Sequence, residues 1–354
     1  MKILHTADVH LRRYDDERWR ALEHLIHIGR KEKVDVLVVC GDLFDKGVDA
    51  EKLKSAIRQI FSNNGFKILL IPGNHDFDVY KEGMYFGEDV VILSKPEQPY
   101  EHGNVVIWPL PFEHAEAEQI FDRLRILAKN FDPEKTNILL YHGELLDAFF
   151  SRTDFGDEGD QRYMPVKLSY FKDFNLDYVL AGHFHSKFDV YEFAQGKYFV
   201  YPGSPVSITR KEVSQRKVNL LEVGEPPREY PLDTAHFEEI TITLDPFTTT
   251  DPVKLAKEKL RQVHPQAKII LRVNGYINST AIKMSERELV DRLKEVCSEH
   301  SVEDLMFEFR DIHTVLEDDL FKAFLKKLEV GRYSEQEKSE LRDIVIRAFM
   351  EAAV

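Results

Sequence analysis

The sequence has few cysteines, no long apolar run and no excess of positive charge. Its 354 residues include two cysteines, Cys40 and Cys297, and neither has a neighbour that would complete a metal clip or a redox pair. Cys40 lies inside an apolar run, where a thiol is an ordinary small core side chain. This use of cysteine predicts a reducing, cytoplasmic setting.

Two further absences exclude whole classes of protein. No apolar run approaches the length that crosses a bilayer, so we expect no membrane association. The first residues, 2–7, form a strand-like run, so we expect no signal peptide. The net charge of −14 argues against a protein that coats nucleic acid by bulk electrostatics. It does not exclude a nuclease, because a catalytic site can carry its own positive charge.

Five short runs rich in Val, Ile and Leu lie in the first 185 residues and predict buried strands. They cover residues 3–7, 34–39, 67–71, 137–141 and 176–181. Helical spacing of apolar residues predicts helices over 16–33 and 50–61, between the first three runs. This alternation predicts a layered α/β domain. Further strands are predicted over 187–193, 197–201, 218–223 and 237–244.

A smaller unit is predicted after Asp245-Pro246 and the threonines that follow, a composition typical of a domain boundary. Asp251 is the expected N-cap of a helix, and Ser285 with Glu288 forms a capping-box pattern at another. Strands are predicted over 268–273 and 305–309, and two amphipathic helices separated at Gly331 follow. The expected domains are therefore 1–246, 247–314 and 315–354.

Each of the five runs ends in residues that can bind a metal ion. The endings are Asp8-Val-His10, Gly41-Asp42-Leu-Phe-Asp45, Gly73-Asn74-His75-Asp76, His142-Gly-Glu144 and Gly182-His183-Phe-His185. Ligands of open α/β sheets bind at the carboxyl ends of the strands. Residues i and i+2 of an extended chain share a side, so Asp8 with His10, and His183 with His185, should face one centre. Any one ending is commonly a turn or a plain strand end, but all five in order predict a metal centre.

The donor set predicts two divalent ions. Mixed nitrogen and oxygen donors without thiolate favour manganese, iron or zinc. Two carboxylates, one amide and four imidazoles exceed the needs of one ion, and paired ions in hydrolases lie about 3.5–4 Å apart. Four positive charges outweigh two carboxylates and a hydroxide, so the site would attract an anionic substrate. The candidate ligands are Asp8, His10, Asp42, Asn74, His142, His183 and His185.

These motifs resemble those of the calcineurin-like metallophosphoesterase superfamily. Within it, the chain is similar to the SbcD-like nuclease subunit of a double-strand-break-repair nuclease–ATPase complex, by residues 3–11, residues 41–45 and the Tyr-Pro-Gly-Ser sequence at 201–204. The resemblance implies a four-layer sandwich of two mixed sheets flanked by helices. It also implies a small α+β capping domain and a helical C-terminal tail.

The resemblance implies roles for single residues. One ion would be held by Asp8, His10, Asp42 and His185, and Asp42 would bridge to a second ion held by Asn74, His142 and His183. His75 would face the scissile phosphate and assist the leaving oxygen, and Asp45 would orient His75. The chain departs from the family pattern at Val9, where a Trp is usual, and at Asp45, where some members carry His.

The implied activity is manganese-dependent 3′→5′ exonuclease action on duplex ends and endonuclease action on single-stranded DNA. The implied partners are DNA, an SMC-like (SbcC-type) ATPase bound by the C-terminal helices, and a second copy of the chain. Local basic patches are expected to contact DNA, namely Arg12, Arg13, Arg18 and Arg20, and Arg210, Lys211, Arg216 and Lys217. Solvated loop charge explains either patch equally well.

Two other functions remain open. One is a phosphodiesterase or phosphatase for small nucleotides or phosphoproteins. The other is a scaffold that couples an ATPase to DNA without cutting it, which the intact set of candidate ligands argues against. The C-terminal helices could likewise pack on their own capping domain instead of on a partner.

Overall fold

The computed structural model describes residues 1–48, 50–81, 83–148, 163–248 and 250–352. Its contacts divide the chain into two compact units, Met1–Phe237 and Glu238–Val354. Within the described ranges, no helix combines the length and the apolar character that crossing a membrane requires.

The first unit contains two sheets of six described strands each. The first sheet has the order β12-β11-β1-β2-β3-β4, with β1 Lys2–Thr6, β2 Val36–Cys40, β3 Lys67–Ile71, β4 Val90–Ile92, β11 Lys217–Glu222 and β12 Glu229–Pro231. The second has the order β5-β6-β7-β8-β10-β9, with β5 Tyr100–His102, β6 Val105–Leu110, β7 Thr136–His142, β8 Tyr178–Gly182, β9 Asp189–Ala194 and β10 Lys197–Tyr201. Helices α1 Glu17–Glu32, α2 Ala50–Ile60 and α3 Ala117–Ala128 accompany them.

Alternating side chains of the strands build the layers. Ile3 of β1 belongs to an apolar cluster that joins the two sheets, whereas its neighbour Leu4 packs with residues of α1 and α2. In β7, Ile138 joins the inter-sheet cluster and Leu139 packs with residues of α3. Each such burial contributes roughly 1.5–3 kcal/mol. The order helix, sheet, sheet, helix confirms the predicted four-layer sandwich.

The five predicted strands are confirmed as β1, β2, β3, β7 and β8. β1, β2 and β3 pair in parallel, as do β7 and β8, so their carboxyl ends lie along one edge of each sheet. The strands are divided three and two between facing sheets. Periodicity within a strand carries no information about which sheet the strand joins.

The predicted helices α1 and α2 are confirmed, and Asp16 caps α1 by accepting from the backbone N–H of Trp19 at 2.9 Å. In the first unit, the sequence reasoning missed the strands β4, β5, β6 and β12 and the helix α3. β6 contains Pro109, a residue that argues against an interior strand because it lacks an N–H donor. The short β5 pairs only with residues 105–107 of β6, so it leaves Pro109 beyond its end.

The second unit has a three-stranded sheet in the order β13-β14-β15, with β13 His236–Leu244, β14 Ala267–Ile277 and β15 Val302–Asp311. Helices α4 Pro252–Leu260 and α6 Glu286–Ser298 share its apolar cluster, and α5 Ser279–Ile282 follows β14. The predicted cap at Asp251 and the capping box of Ser285 and Glu288 are confirmed.

Helices α7 His313–Glu317, α8 Asp319–Val330 and α9 Glu335–Ala352 complete the second unit. They share a small apolar core that includes Val315, Phe321 and Ile346. The predicted helical tail, interrupted at Gly331, is confirmed. The domain limits 246/247 and 314/315 stay predictions; β13, which was expected to close the first domain, pairs with β14.

Candidate metal centre

The seven predicted ligands lie together where β1, β2, β3, β7 and β8 end. Asp8, His10, Asp42, His142 and His183 are buried, and Asn74 and His185 are half-buried. Buried carboxylates and imidazoles are costly unless they are paired or bind a cation. The structure therefore brings together all seven side chains that the sequence singles out.

Asp42 lies between two sets of these side chains. Its Oδ2 atom is 3.7 Å from Nε2 of His10 and 3.4 Å from Nε2 of His142. On the His10 side, Nε2 of His185 lies 3.2 Å from Nε2 of His10 and 3.7 Å from Oδ1 of Asp8. One carboxylate thus reaches both halves of the site.

The second set gathers around Asn74. Its Oδ1 atom lies 2.8 Å from Nε2 of His142 and 3.2 Å from Nδ1 of His183. The other ring nitrogen of His142, Nδ1, lies 2.8 Å from the carbonyl oxygen of Cys40. That carbonyl can accept only from a protonated Nδ1, so it orients the ring with Nε2 toward the centre, where Nε2 could bind a cation after losing its own proton.

Backbone conformation at the site departs from the extended chain that the sequence reasoning assumed. Asp8, His10, Asp42 and His183 have φ angles of 55°, 50°, 53° and 98°. Such positive angles cost side-chain-bearing residues about 1–3 kcal/mol each and persist where surrounding contacts over-determine them. The prediction that Asp8 and His10 face one centre is confirmed, but its geometric reason is wrong.

Hydrogen bonds between strand ends hold this strained backbone. The N–H of His10 donates to the carbonyl of Asp42 at 2.9 Å, and the N–H of His183 donates to Oδ2 of Asp8 at 3.0 Å. Close packing also requires glycine at 182, because a Cβ there would lie 2.6 Å from Cβ of Ala7 and closer still to the carbonyl oxygen of Cys40. The loops are therefore tied to one another across the two sheets.

Burial and neighbouring charges shift the pKa values of the site residues in opposite directions. Burial lowers the pKa of His10 and raises that of Asp8. Burial also acts to lower the pKa of His142, but the charge and hydrogen bond of Asp42 and the charge of Asp8 together raise that pKa to about 9. Burial acts to raise the pKa of Asp42, yet the charge and hydrogen bond of His142, together with the neighbouring histidines, hold it well below its ordinary value. Protons on the imidazoles balance the charge of the buried carboxylates here. A divalent cation would supply that positive charge instead.

The donor chemistry fits a pair of hard or borderline divalent ions. Among the described residues, three groups hold ligand atoms within 4.8 Å of one another: Asp8, His10 and His185; Asp8, Asp42 and His142; and His10, Asp45 and His75. The Cys40 thiol stays outside the donor set, since Sγ donates to the carbonyl of Leu180 at 3.1 Å and burial raises its pKa. The oxygen and nitrogen donors match the sequence expectation.

Asp45 already has cationic partners, so the third group is better suited to orienting histidines than to holding another ion. Arg12 contacts its Oδ2 atom, and Nη1 of Arg18 donates to the same atom at 3.0 Å. Burial acts to raise the pKa of Asp45, but hydrogen bonds led by those from His10 and His75 hold it well below its ordinary value. The carboxylate is anionic and already compensated.

The predicted DNA-contacting residues have different surroundings. Arg12 and Arg13 are exposed, and Arg13 lies 3.9 Å from the carboxylate of Asp16. Arg210 and Lys211 are exposed on the segment between β10 and β11.

Two other arginines named with those patches serve the interior of the site. Arg18 donates to the carbonyl of His10 at 2.6 Å. The buried Arg216 donates to the carbonyls of His185, Ser186 and Ser204. A groove-lining role for Arg216 is wrong, because its guanidinium is enclosed.

Sequence reasoning missed Glu212, which is buried beside the first set of ligands. Its Oε2 atom accepts from the N–H of Ile208 at 2.8 Å and from the Ser204 hydroxyl at 3.0 Å, and Oε1 lies 3.6 Å from Nδ1 of His185. Burial acts to raise the pKa of Glu212, but the hydrogen bond and charge of His185, the N–H of Ile208 and the charge of Arg216 together lower that pKa to about 2. No motif in the sequence marks this residue.

Asp76 closes the Gly-Asn-His-Asp turn instead of joining the ligands. It accepts from the N–H groups of Gly73 and Phe44 at 2.8 and 3.2 Å and from the Tyr80 hydroxyl at 2.9 Å. Three donors on one buried carboxylate hold the loop that carries Asn74.

Residues 1–187 match the family model described as calcineurin-like phosphoesterase, and the chain belongs to that family.

The chain is similar to the DNA double-strand break repair protein Mre11 of Sulfurisphaera tokodaii, with 24% identity over 98% of this chain and 93% of that protein. It is also similar to the SbcD component of the SbcCD nuclease of Staphylococcus epidermidis, with 24% identity over 61% of this chain and 64% of that protein. The match thus spans just under two-thirds of that relative. A crystal structure of a Thermus thermophilus protein superposes on 65% of this chain and 98% of its own, with 14% identity and a TM-score of 0.45.

Proposed function

We propose that the chain is a two-metal phosphodiesterase that cuts the backbone of DNA, working in the cytoplasm in double-strand-break repair. The observation that carries the proposal is the position of Asp42, whose Oδ2 atom is 3.7 Å from His10 and 3.4 Å from His142. DNA as substrate is supported by the similarity to a DNA double-strand break repair protein along 98% of the chain. The proposed activities are 3′→5′ exonuclease action and single-strand endonuclease action.

In this proposal the ligands divide at Asp42. Asp8, His10 and His185 would hold one manganese ion, Asn74, His142 and His183 would hold a second, and Asp42 would contribute to both. When bound, such ions supply Lewis-acid activation of water and of the phosphoryl oxygens. The chain's own contribution is to hold the donors in place through the backbone contacts between the strand ends.

His75 is proposed to act on the leaving oxygen. Its backbone N–H donates to Oδ1 of Asp42 at 2.9 Å, which places the residue beside the centre. Its Nδ1 atom lies 3.4 Å from Oδ1 of Asp45. With Nδ1 directed at that carboxylate, Nε2 would be the atom that donates a proton to the departing ribose oxygen.

The test is hydrolysis of labelled duplex DNA, single-stranded DNA, a cyclic nucleotide and a phosphopeptide, side by side with manganese. The proposal expects cleavage of both DNA substrates by the wild type and none by Asp42→Asn. Labels at each end in turn report the polarity of exonuclease action. Preference for the cyclic nucleotide or the phosphopeptide would move the assignment to a small-substrate phosphoesterase.

We also propose that α8 and α9 bind an SMC-like ATPase and that the chain works as a homodimer. The proposed domains are 1–246 (nuclease), 247–314 (capping) and 315–354 (partner binding). The partner-binding domain exposes apolar side chains to solvent. Leu320, Val330 and Ile344 are 71%, 83% and 61% exposed. The full chain should co-purify with such an ATPase, and the double variant Leu320→Glu/Ile344→Glu should not. Sedimentation equilibrium tests the dimer.

A further inference from the structure

A row of aromatic rings runs outward from the candidate metal centre. The ring of Tyr163 lies 5.0 Å from that of His183, and the ring of Phe112 lies 6.1 Å from that of Tyr163. Phe77 and His114 lie 5.8 and 5.1 Å from Phe112, and 5.6 Å from each other. We call Phe77, Phe112, His114 and Tyr163 the aromatic shelf.

The shelf has a buried base and an exposed upper surface. Phe112 is buried, Tyr163 is half-buried and His114 is exposed. Phe77 keeps 47% of its surface exposed. The packing of the core therefore uses only part of the Phe77 ring, and the rest is open to a flat apolar ligand.

The shelf is fixed to the loop that carries predicted site residues. Phe77 follows Asn74, His75 and Asp76 directly in the chain. The N–H of Phe112 donates to the carbonyl of Pro72 at 3.0 Å, which joins the second sheet to the start of that loop. The ring of Phe77 thus keeps a set position relative to the metal centre.

We propose that the aromatic shelf stacks an unpaired base of the strand whose phosphodiester lies at the metal centre. The inference rests on the proposed function and specifies its substrate: a single strand or a frayed end, because a base inside a duplex offers no free face. Stacking on an aromatic ring accepts any base. It suits a chain with a net charge of −14, which has little bulk attraction for phosphate.

The charges beside the shelf agree with recognition of a base instead of a phosphate. Glu113, between Phe112 and His114, has a carboxylate that contacts Arg123. This pair is neutral overall, so it adds no positive charge beside Phe112. An uncharged base face fits the apolar rings of this surface.

The first experiment compares Phe77→Ala with the wild type on a single-stranded oligonucleotide and on bis(4-nitrophenyl) phosphate, a small diester without a base. The proposal expects a rise of about 5- to 100-fold in the KM for the oligonucleotide, the range for one lost stacking contact. Turnover of the small diester stays unchanged, and Phe77→Trp restores the KM.

The matched control is Tyr85→Ala. Tyr85 is an exposed aromatic residue of the same unit, 44% exposed, but its ring lies under Arg58 at 4.9 Å and not on the shelf. This variant is expected to leave both substrates unaffected. An equal loss on the small diester by Phe77→Ala would overturn the proposal, since Phe77 would then only support the metal centre.

A second experiment locates the stacked base. A single abasic nucleotide is moved stepwise along the oligonucleotide, and its binding to wild type and Phe77→Ala is measured by fluorescence anisotropy. At one position the abasic substitution should weaken wild-type binding as much as Phe77→Ala does, and the two losses should not add. Additive losses at every position would overturn the proposal. Binding is read without cleavage, so a wild type that cuts no DNA contradicts the proposed function while the anisotropy still decides the role of the shelf.

Discussion

Oδ1 of Asp45 lies 3.4 Å from Nδ1 of His75, and the same atom lies 3.5 Å from Nδ1 of His10. A single carboxylate oxygen therefore faces one histidine that is a predicted metal ligand and one that is predicted to serve the leaving group. Arg12 and Arg18 contact the other carboxylate oxygen of Asp45, Oδ2. Asp45 thereby links the proposed metal-binding and proton-transfer functions.

Removing this link should slow the reaction. We expect Asp45→Ala to lower kcat about 10- to 100-fold, since partners that orient histidines at metal sites contribute on that scale. Steady-state kinetics on single-stranded DNA measures the effect. Asp16→Ala, which removes a carboxylate that lies 3.9 Å from Arg13 and caps α1, is the control and should keep its kcat. Activity of Asp45→Ala within twofold of the wild type would contradict the link.

Removing the proposed acid should separate catalysis from metal binding. His75→Ala is expected to retain both ions and to lose about 10²- to 10⁴-fold in rate, because His75 assists proton transfer without donating to a metal. Elemental analysis after gel filtration in manganese counts the ions. Loss of an ion in His75→Ala would assign His75 to the ligands instead.

Filling the space at Gly182 should destabilise the first unit. Gly182→Ala places a Cβ against the Cys40 carbonyl and 2.6 Å from Cβ of Ala7, so the two sheets must separate locally. We expect a loss of about 1–3 kcal/mol in the free energy of unfolding, together with weaker manganese binding. Urea denaturation and titration calorimetry measure the two.

Gly196→Ala provides the comparison for Gly182→Ala. Its Cβ would meet no atom within 4 Å, although φ there is 70°. Gly196→Ala should lose only about 1–2 kcal/mol in the free energy of unfolding, the cost of a left-handed backbone at a residue with a side chain. It should bind manganese normally. Equal losses of manganese binding in the two variants would contradict the packing argument.

The buried His5 should make stability depend on pH. Burial lowers its pKa from 6.5 to about 3, and its Nε2 lies 3.1 Å from the carbonyl oxygen of Ala181. The folded state therefore holds His5 neutral while the unfolded state binds a proton. The stability that depends on neutral His5 is fully present above pH 6.5. It is lost as the pH falls toward 3, at about 1.4 kcal/mol per pH unit.

The measurement for His5 is urea denaturation of the metal-free protein between pH 4 and pH 8, for wild type and His5→Gln. The wild type should lose stability more steeply below pH 6.5 than the variant, which has no group to protonate at that position. Parallel curves for the two proteins would contradict the assignment of a neutral, buried His5.

The parts of the fold that local sequence determines could be predicted. The cap at Asp251 and the capping box of Ser285 and Glu288 depend on neighbours within four residues, and they appear where expected. The five strands and the position of the candidate ligands after them are predictable because each motif lies next to its own apolar run. The division of those strands between two sheets depends on contacts that no local pattern records.

The parts of the site that were missed depend on distant contacts. The Cys40 carbonyl that faces His142 is 102 residues away in sequence, and Glu212 approaches His185 from the segment after β10. The positive φ angles of Asp8 and His10 follow from hydrogen bonds to the neighbouring strand end. None of these produces a motif, because carbonyl groups and isolated acidic residues occur throughout any sequence.

The most direct test is a crystal structure of the protein soaked in manganese, with anomalous scattering used to locate the ions. The account predicts two peaks that share Asp42, one contacted by Asp8, His10 and His185 and the other by Asn74, His142 and His183. A single peak among His10, Asp45 and His75, or no peak beside Asp42, would contradict it.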